Sequence, residues 1–252
     1  MQLSKLFSMR LIYTIWCVFW FGLIFLLIFP FSFITLQRNS WKPYTNQINR
    51  FWAKTFLIMA GMPLNIEWRF RPDPNATYVF CANHFSYLDI VVLNAVVPNY
   101  LAFVGKDSVA NVPLFGYMYS RLHILVNRED PKSRVSSLTK SMRVVASGRS
   151  IAIFPEGGIV SDNPPTMQYP LMDGALKIAH HAKVPIVPVS LLTNHLIVPD
   201  KSPLRVRWNR VKVIVHQPLL TADLGKDDIP ELKERLYHLL NNELKPYQDN
   251  SR

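Results

Sequence analysis

Cys81-Ala-Asn-His-Phe-Ser-Tyr-Leu-Asp-Ile90 is the stretch whose reading decides the fold. The apolar run ahead of it, Tyr78-Val-Phe-Cys-Ala82, reads as a buried strand. The run from Leu88 to Val97 is long enough for a helix that stops at Pro98. Asn83, His84, Ser86 and Asp89 therefore fall on a strand-to-helix turn. An open α/β sheet places its chemistry there, at the carboxyl ends of its strands.

Two readings of that turn compete. An imidazole titrates near neutrality, so His84 can take a proton from a hydroxyl, with Asp89 fixing its tautomer and stabilising the imidazolium. Five residues of ideal helix rotate by roughly 500°, which leaves side chains about 140° apart, so the pair meets only if His84 lies ahead of the helix. The other reading is a capping box, with Ser86 as the cap and Asp89 reaching back to it. The spacing alone does not choose, and Asn194-His195-Leu-Ile-Val-Pro-Asp200 repeats it. That copy lacks the serine, carries Pro199 where a helix would begin and precedes no helical run.

Working outward, apolar strand-like runs alternate with helical ones. Strands are expected over Ile66–Phe70, Thr77–Ala82, Leu101–Val104, His123–Val126, Ser150–Phe154 and Val184–Leu192. Helices are expected over Pro113–Leu122, Asp130–Gly148, Asp173–Ala182 and Ile229–Leu244, the last with Leu232, Leu236, Leu240 and Leu244 on one stripe. Pro185 and Pro188 suggest that the sixth strand lies at an edge or is irregular. The fold class is α/β: a mixed, partly parallel central sheet flanked by helices, with an N-terminal membrane-anchoring helical segment.

That segment is the apolar run Leu11 to Leu36, bounded by Lys5, Arg10, Arg38 and Lys42. It is long enough to span a bilayer, and no small-residue cleavage site follows it. Pro30 can kink it, basic residues on both sides leave its orientation open, and an in-plane helix fits as well. Trp41 to Met62 interleaves aromatic and basic residues, which fits an interfacial amphipathic helix and, nearly as well, a helix packed on the domain. The expected division is residues 1–62 for the membrane part and 63–252 for the α/β domain.

The 252 residues are 49% apolar and 12% aromatic, with a formal charge of +11. An apolar, aromatic and basic chain suits an anionic membrane surface. The run Lys201 to Lys212, with five basic residues, Trp208 and no acid, reads as a membrane-facing edge. No zinc-ligand spacing, basic heptad or RNA-binding aromatic signature points to nucleic acid. Cys17 and Cys81 lie in apolar runs, so neither a disulfide framework nor a metal site is indicated, and a reducing cytosolic setting follows.

Three polar clusters fall at expected strand ends: Asn83 to Asp89, Asn127-Arg128 and Phe154 to Gly158. If they share a cleft, it holds a base, a cation and a glycine turn with backbone N–H groups suited to a phosphate or an oxyanion. A ligand with a hydroxyl and a phosphate, beside an acyl carbonyl, uses all three.

On these residues the chain resembles the 1-acyl-sn-glycerol-3-phosphate (lysophosphatidic acid) acyltransferases of the glycerophospholipid acyltransferase group. His84 to Asp89 is similar to the family's first block, and Lys106, Phe115-Gly116 and Val126-Asn-Arg128 to its second. Phe154-Pro-Glu-Gly157 is similar to the third and Val184-Pro-Ile-Val-Pro188 to the fourth. The resemblance covers roughly Asn65 to Val215.

It implies a membrane-bound enzyme that moves a fatty acyl group from acyl-CoA or acyl carrier protein to the free hydroxyl of lysophosphatidic acid, with neither metal nor cofactor. His84 is the implied general base and Asp89 its orienting partner. Lys106 and Arg128 are the implied phosphate holders, with Glu156, Gly157 and Gly158 shaping that pocket. The implied partners are the bilayer, the lysophospholipid and the acyl donor. The implied location is the cytoplasmic membrane, with the site on its cytosolic face. One departure stands out: the third block usually continues Glu-Gly-Thr-Arg, and here it reads Glu156-Gly157-Gly158-Ile159. Either Arg121 substitutes for the missing arginine or the acceptor headgroup differs. Rival readings are a serine hydrolase using Ser86, against which the absence of a Gly-x-Ser-x-Gly elbow argues, and an idle membrane-binding module.

Overall fold

A computed structural model describes residues 2–200 and 203–248. In chain order the elements are α1 Gln2–Thr35, α2 Lys42–Met59, β1 Leu64–Trp68, β2 Val79–Ala82, α3 Leu88–Val96, β3 Leu101–Lys106, α4 Phe115–Leu122 and β4 Ile124–Val126. Then come α5 Pro131–Ala146, β5 Ser150–Ile153, α6 Gly174–Ala182, β6 Ile186–Leu191, α7 Asn194–Ile197, β7 Val211–Val215 and α8 Ile229–Gln248. The strands form one sheet in the order β1-β7-β6-β2-β5-β3-β4. Every neighbouring pair is parallel except β6 with β7.

The central strands are buried on both faces, which explains their unbroken apolar runs. One face of the sheet packs under α1, α2 and α3, with Cys17, Ile24, Trp52, Phe56, Val92 and Leu93 in a single core with Phe80 and Val187. The other face packs under α5, α6 and α8. The leucine stripe of α8 is fully inward, at 6% exposure for Leu232 and 0% for the other three. Asp130 starts α5 by accepting from the N–H groups of Lys132 and Ser133, at 3.0 and 3.1 Å. Pro131 occupies the first turn, where a missing N–H costs nothing.

Two expectations about strands need correcting. Of the two readings of the proline-bearing strand β6 the edge fails, since it lies between β7 and β2, and the irregularity holds. The Pro188 carbonyl accepts from His216 N at 3.0 Å, so its ring nitrogen faces the same neighbour. There the register slips: Val189 pairs with Val215, but Ile186 pairs with Leu219. This bulge needs no N–H from Pro188. Secondly, β7 and the one-turn helix α7 went unread, and the first strand starts at Leu64, two residues before the expected Ile66.

Helix α1 is long and apolar enough, over Met9–Thr35, to cross a bilayer. It does not stand apart from the domain. Tyr13 Oη and Trp16 Nε1 donate to the Ala60 and Met59 carbonyls at the end of α2. Phe21 meets Trp52 edge-on at 4.7 Å, Phe25 reaches Phe115 at 5.9 Å and Phe33 stacks on Tyr117 at 5.4 Å. Even the distal loop joins in, because Val206 N donates to Thr14 Oγ1 at 3.0 Å. The opposite face leaves Ile12, Ile15, Phe19, Leu27, Phe31 and Ile34 exposed. Trp208, in the basic run, is exposed as well and donates to the Gly61 carbonyl. Lys201 of that run lies outside the described residues.

Candidate active site

His84 lies in the turn between β2 and α3, so helical rotation does not separate it from Asp89. The His84 Nδ1 to Asp89 Oδ2 distance is 2.9 Å. The same oxygen accepts from the N–H groups of Phe85 and Ser86, at 2.9 and 3.0 Å. Ser86 Oγ in turn accepts from Leu88 N at 3.1 Å. The His84–Asp89 pair and the cap-like contacts of Ser86 therefore share one turn, and the geometry accommodates both readings, although Tyr87, directly ahead of α3, makes no side-chain cap bond. The Ser86 hydroxyl donates to the Val198 carbonyl and Ser86 is fully buried, which leaves the serine-hydrolase reading without a nucleophile.

The imidazole is tightly bounded. Its face stacks on Phe154, just past β5, with centroids 3.8 Å apart and planes 12° from parallel. With Nδ1 bound to Asp89, Nε2 carries no hydrogen bond among the described residues. A substrate proton can thus be received only at the ring's far edge.

Glu156 is expected on the substrate side but faces the turn. Its Oε1 accepts from His84 N at 2.8 Å and its Oε2 from Gln168 N at 3.0 Å. Burial pushes its carboxyl up to about 7, against the pull of those two N–H groups, and the nearby Asp89 adds to the rise. The carboxyl is a brace between the first and third blocks. The glycine turn also offers fewer free amides than expected, since Gly157 N donates to Phe154 O at 3.0 Å. Gly157 has φ +83°, a conformation that suits a residue without a Cβ.

Arg128 follows β4 at the carboxyl end of the sheet, half-buried, and makes no ion pair with Glu129 or Asp130. Its guanidinium crosses Gly158: a Cβ built there would lie 2.5 Å from Nη1. The cation therefore occupies the space in which the family's usual threonine would stand. Arg121 does not substitute. It ends α4, leaning over the Tyr117 ring at 4.4 Å, and its neighbour Leu122 accepts from Arg149, which precedes β5. That is the amino end of the strands, opposite His84. Lys106 closes β3 with an exposed side chain, in register with Val126.

A cavity of about 550 Å³ opens beside Arg128, Phe154 and Gly157 and runs between α5 and α6. Its walls are largely apolar, among them Val104, Val135, Leu138, Ile153 and Met172. A cation at the mouth of an apolar cleft suits an amphiphile with an anionic head.

This geometry agrees with the comparisons. A family model described as Acyltransferase matches residues 67–192, which holds the turn, Arg128 and the third and fourth blocks. The chain belongs to the acyltransferase family. As an acyltransferase-family chain it is 30% identical over 210 residues to the 1-acyl-sn-glycerol-3-phosphate acyltransferase BAT2 of Brassica napus, covering 82% of this chain and 60% of the relative. Against LPAT1 of Arabidopsis thaliana, whose name is otherwise the same, identity is 29%, with 78% and 54% covered. It thus spans little more than half the length of these chloroplast relatives. In fold it is similar to the 1-acyl-sn-glycerophosphate (LPA) acyltransferase PlsC of Thermotoga maritima. There the TM-score is 0.76 at 18% identity, with 96% and 98% of the two chains covered.

Within this acyltransferase-family site the structure brings His84, Asp89, Arg128, Glu156, Gly157 and Gly158 to one end of the sheet. It also recruits residues that sequence reasoning missed. Phe154 was read as a strand end and the first residue of the third block, with no role for its ring. Asn83 spans to β6, its amide donating to Leu191 O and its carbonyl accepting from Leu191 N. Asn194 was set aside with the repeated motif, yet its Nδ2 donates to Asp89 Oδ1 at 2.8 Å. The Asn-His-four-residue repeat was the available signal.

Proposed function

We propose that this chain transfers a fatty acyl group from acyl-CoA or acyl carrier protein to the free hydroxyl of lysophosphatidic acid, giving phosphatidic acid. The observation that carries the reading is His84 Nδ1 held 2.9 Å from Asp89 Oδ2 with Nε2 free at the strand ends. His84 Nε2 takes the proton of the acceptor hydroxyl as its oxygen attacks the thioester carbonyl. The tetrahedral intermediate then expels thiolate, which recovers the proton from the imidazolium. Ester and free thiol leave, and no covalent enzyme intermediate is needed. Asp89 stabilises the transient imidazolium. The names of the relatives support a glycerol 3-phosphate acceptor, and Arg128, unpaired and beside the cavity, suits its phosphate.

The reading includes a membrane seat. Polar Asn46, Asn49 and Arg50 on α2 are buried or half-buried in the structure, and α1 is fastened along its length to α2 and α4. A hairpin packed this way suits lying in one leaflet, with the outward face of α1 among the acyl chains. The free thiols of Cys17 and Cys81 suit the cytosolic face.

The test is thiol release from acyl-CoA and from acyl carrier protein donors across a panel of lysolipid headgroups. Lysophosphatidic acid is expected to be the preferred acceptor. His84→Ala is expected to lose about 10² to 10⁴ in kcat with its melting temperature kept. Arg128→Gln is expected mainly to raise KM for phosphate-bearing acceptors. Full activity in His84→Ala, or no preference for a phosphomonoester head, would overturn the reading.

A further inference from the structure

The repeated motif at Asn194-His195 resolves into one residue that belongs to the site and one that does not. Asp89 is 1% exposed, and four donors reach its carboxylate. Three converge on Oδ2: His84 Nδ1, Phe85 N and Ser86 N. All three come from the same turn, so local sequence provides them. Oδ1 has a single partner among the described residues, Nδ2 of Asn194, from α7 across 105 positions of chain. Asn194 is itself 1% exposed, and its own Oδ1 has no hydrogen-bond partner, so among the described residues the side chain's one hydrogen bond is the one to Asp89.

A carboxylate's last torsion has broad wells, so donors gathered on one oxygen restrain it less than donors on both. Turning moves Oδ2 out of line with His84 Nδ1 and leaves a buried oxygen without its donor. We propose that Asn194 is a positioning residue: its amide occupies Asp89 Oδ1 and so holds Oδ2 on His84 as the imidazole takes the acceptor's proton. This rests on the acyl-transfer reading above and adds a residue to it. His195, next along α7, is a different matter. Its ring lies edge-on to Phe85 at 6.1 Å, with neither nitrogen hydrogen-bonded. It fills space.

The substitution Asn194→Asp keeps the shape and removes the donor. It sets a carboxylate oxygen against Asp89 Oδ1, and a donor returns only when that new carboxyl is protonated. The groups that bear on it are Asp89 on α3, His84 in the turn, Glu156 after β5 and His195 on α7. All four are common to the wild type, so the ratio of variant to wild type at each pH isolates the new group.

The experiment measures kcat and KM with acyl-CoA and lysophosphatidic acid, from pH 5.5 to 8.5, for the full chain and for N194A, N194D and H195L, with melting curves alongside. The proposal expects N194A to lose about 10- to 100-fold in kcat, the range typical of groups that orient a functional side chain, with KM little changed. It expects the N194D ratio to climb as pH falls while the N194A ratio stays flat, and H195L to keep wild-type kcat. It is overturned if N194A stays within about threefold of wild type, if N194D tracks wild type at every pH, or if H195L loses as much as N194A, which would make the loss one of α7 packing. Wild-type chain inactive on every lysolipid overturns the acyl-transfer reading itself, and this role with it.

Discussion

At the scale of one residue, Asp89 gathers donors of two kinds: the backbone N–H groups of Phe85 and Ser86 ahead of α3, and the ring of His84. This double duty explains why spacing alone left the motif ambiguous. Ser86-to-Asp89 spacing is what a capping box requires, and His84-to-Asp89 spacing serves a dyad once the histidine lies ahead of the helix. Glu156 was legible as a residue of the third block but not as a brace, because nothing local tells which way a carboxylate turns. Its raised pKa gives a signed prediction. From its ordinary 4.5 up to about 7, the folded chain holds the proton more tightly than the unfolded one. Its contribution is therefore fully present below pH 4.5 and is lost as pH rises through 7. Urea unfolding of Glu156→Gln against wild type should show the wild type losing ground to the variant between pH 5 and 8. A constant difference would show that the carboxyl does not titrate in that window.

At the scale of elements, legibility followed periodicity. Helices α5 and α8 were readable because their apolar positions repeat on one face and their ends carry Asp130, Pro131 and Gly148. Strand β7 was not, since Val211 to Val215 is five residues long and follows a basic, proline-containing run that drew attention to its charge. Pro188 was read as marking an edge or an irregular strand, and the second reading holds. A proline argues for an edge only if its nitrogen meets a regular ladder, and here a bulge lies opposite. Helix α1 was read correctly as apolar and long, but its sequence does not say that one face is fastened to α2. The outward face makes the second prediction. Leu27 and Phe31, 62% and 64% exposed, should partition into lipid, each worth about 1.5–3 kcal/mol when buried. Replacing both with Gln should weaken flotation with anionic vesicles by at least ~100-fold while the melting temperature in detergent holds. Unaltered flotation would place the membrane contact elsewhere.

For the whole molecule, the sheet order explains how a short motif gained distant partners. Strands β2, β5 and β6 lie side by side, so the segments after them (His84, Phe154 to Glu156, and Asn194) meet although they are about 110 residues apart at most. Four ordered blocks told of that convergence; the contact of Asn194 with Asp89 did not follow from any of them. Burial across the molecule also sets its acid response. His123 is pushed down to about 3, and His195 and His216 to about 4, in each case chiefly by burial and for His123 and His216 also by Arg149 and Arg69. Between pH 6.5 and 4 the unfolded chain then binds more protons than the folded one, so stability falls on acidification. The urea midpoint should drop across that interval, and more steeply in Glu156→Gln, which lacks the opposing carboxyl. A flat midpoint would contradict the buried, neutral state of these rings.

The fastening of α1 bears on how the protein is born. During synthesis this greasy helix emerges before its docking partners: α2 follows it, Phe115 and Tyr117 come about 90 residues after the phenylalanines they meet, and the Val206 amide comes later still. Until they emerge the helix lacks part of its protein cover. On the membrane seat proposed above, synthesis beside a bilayer shelters it during the wait, so the surface proposed to hold the finished chain doubles as its nursery.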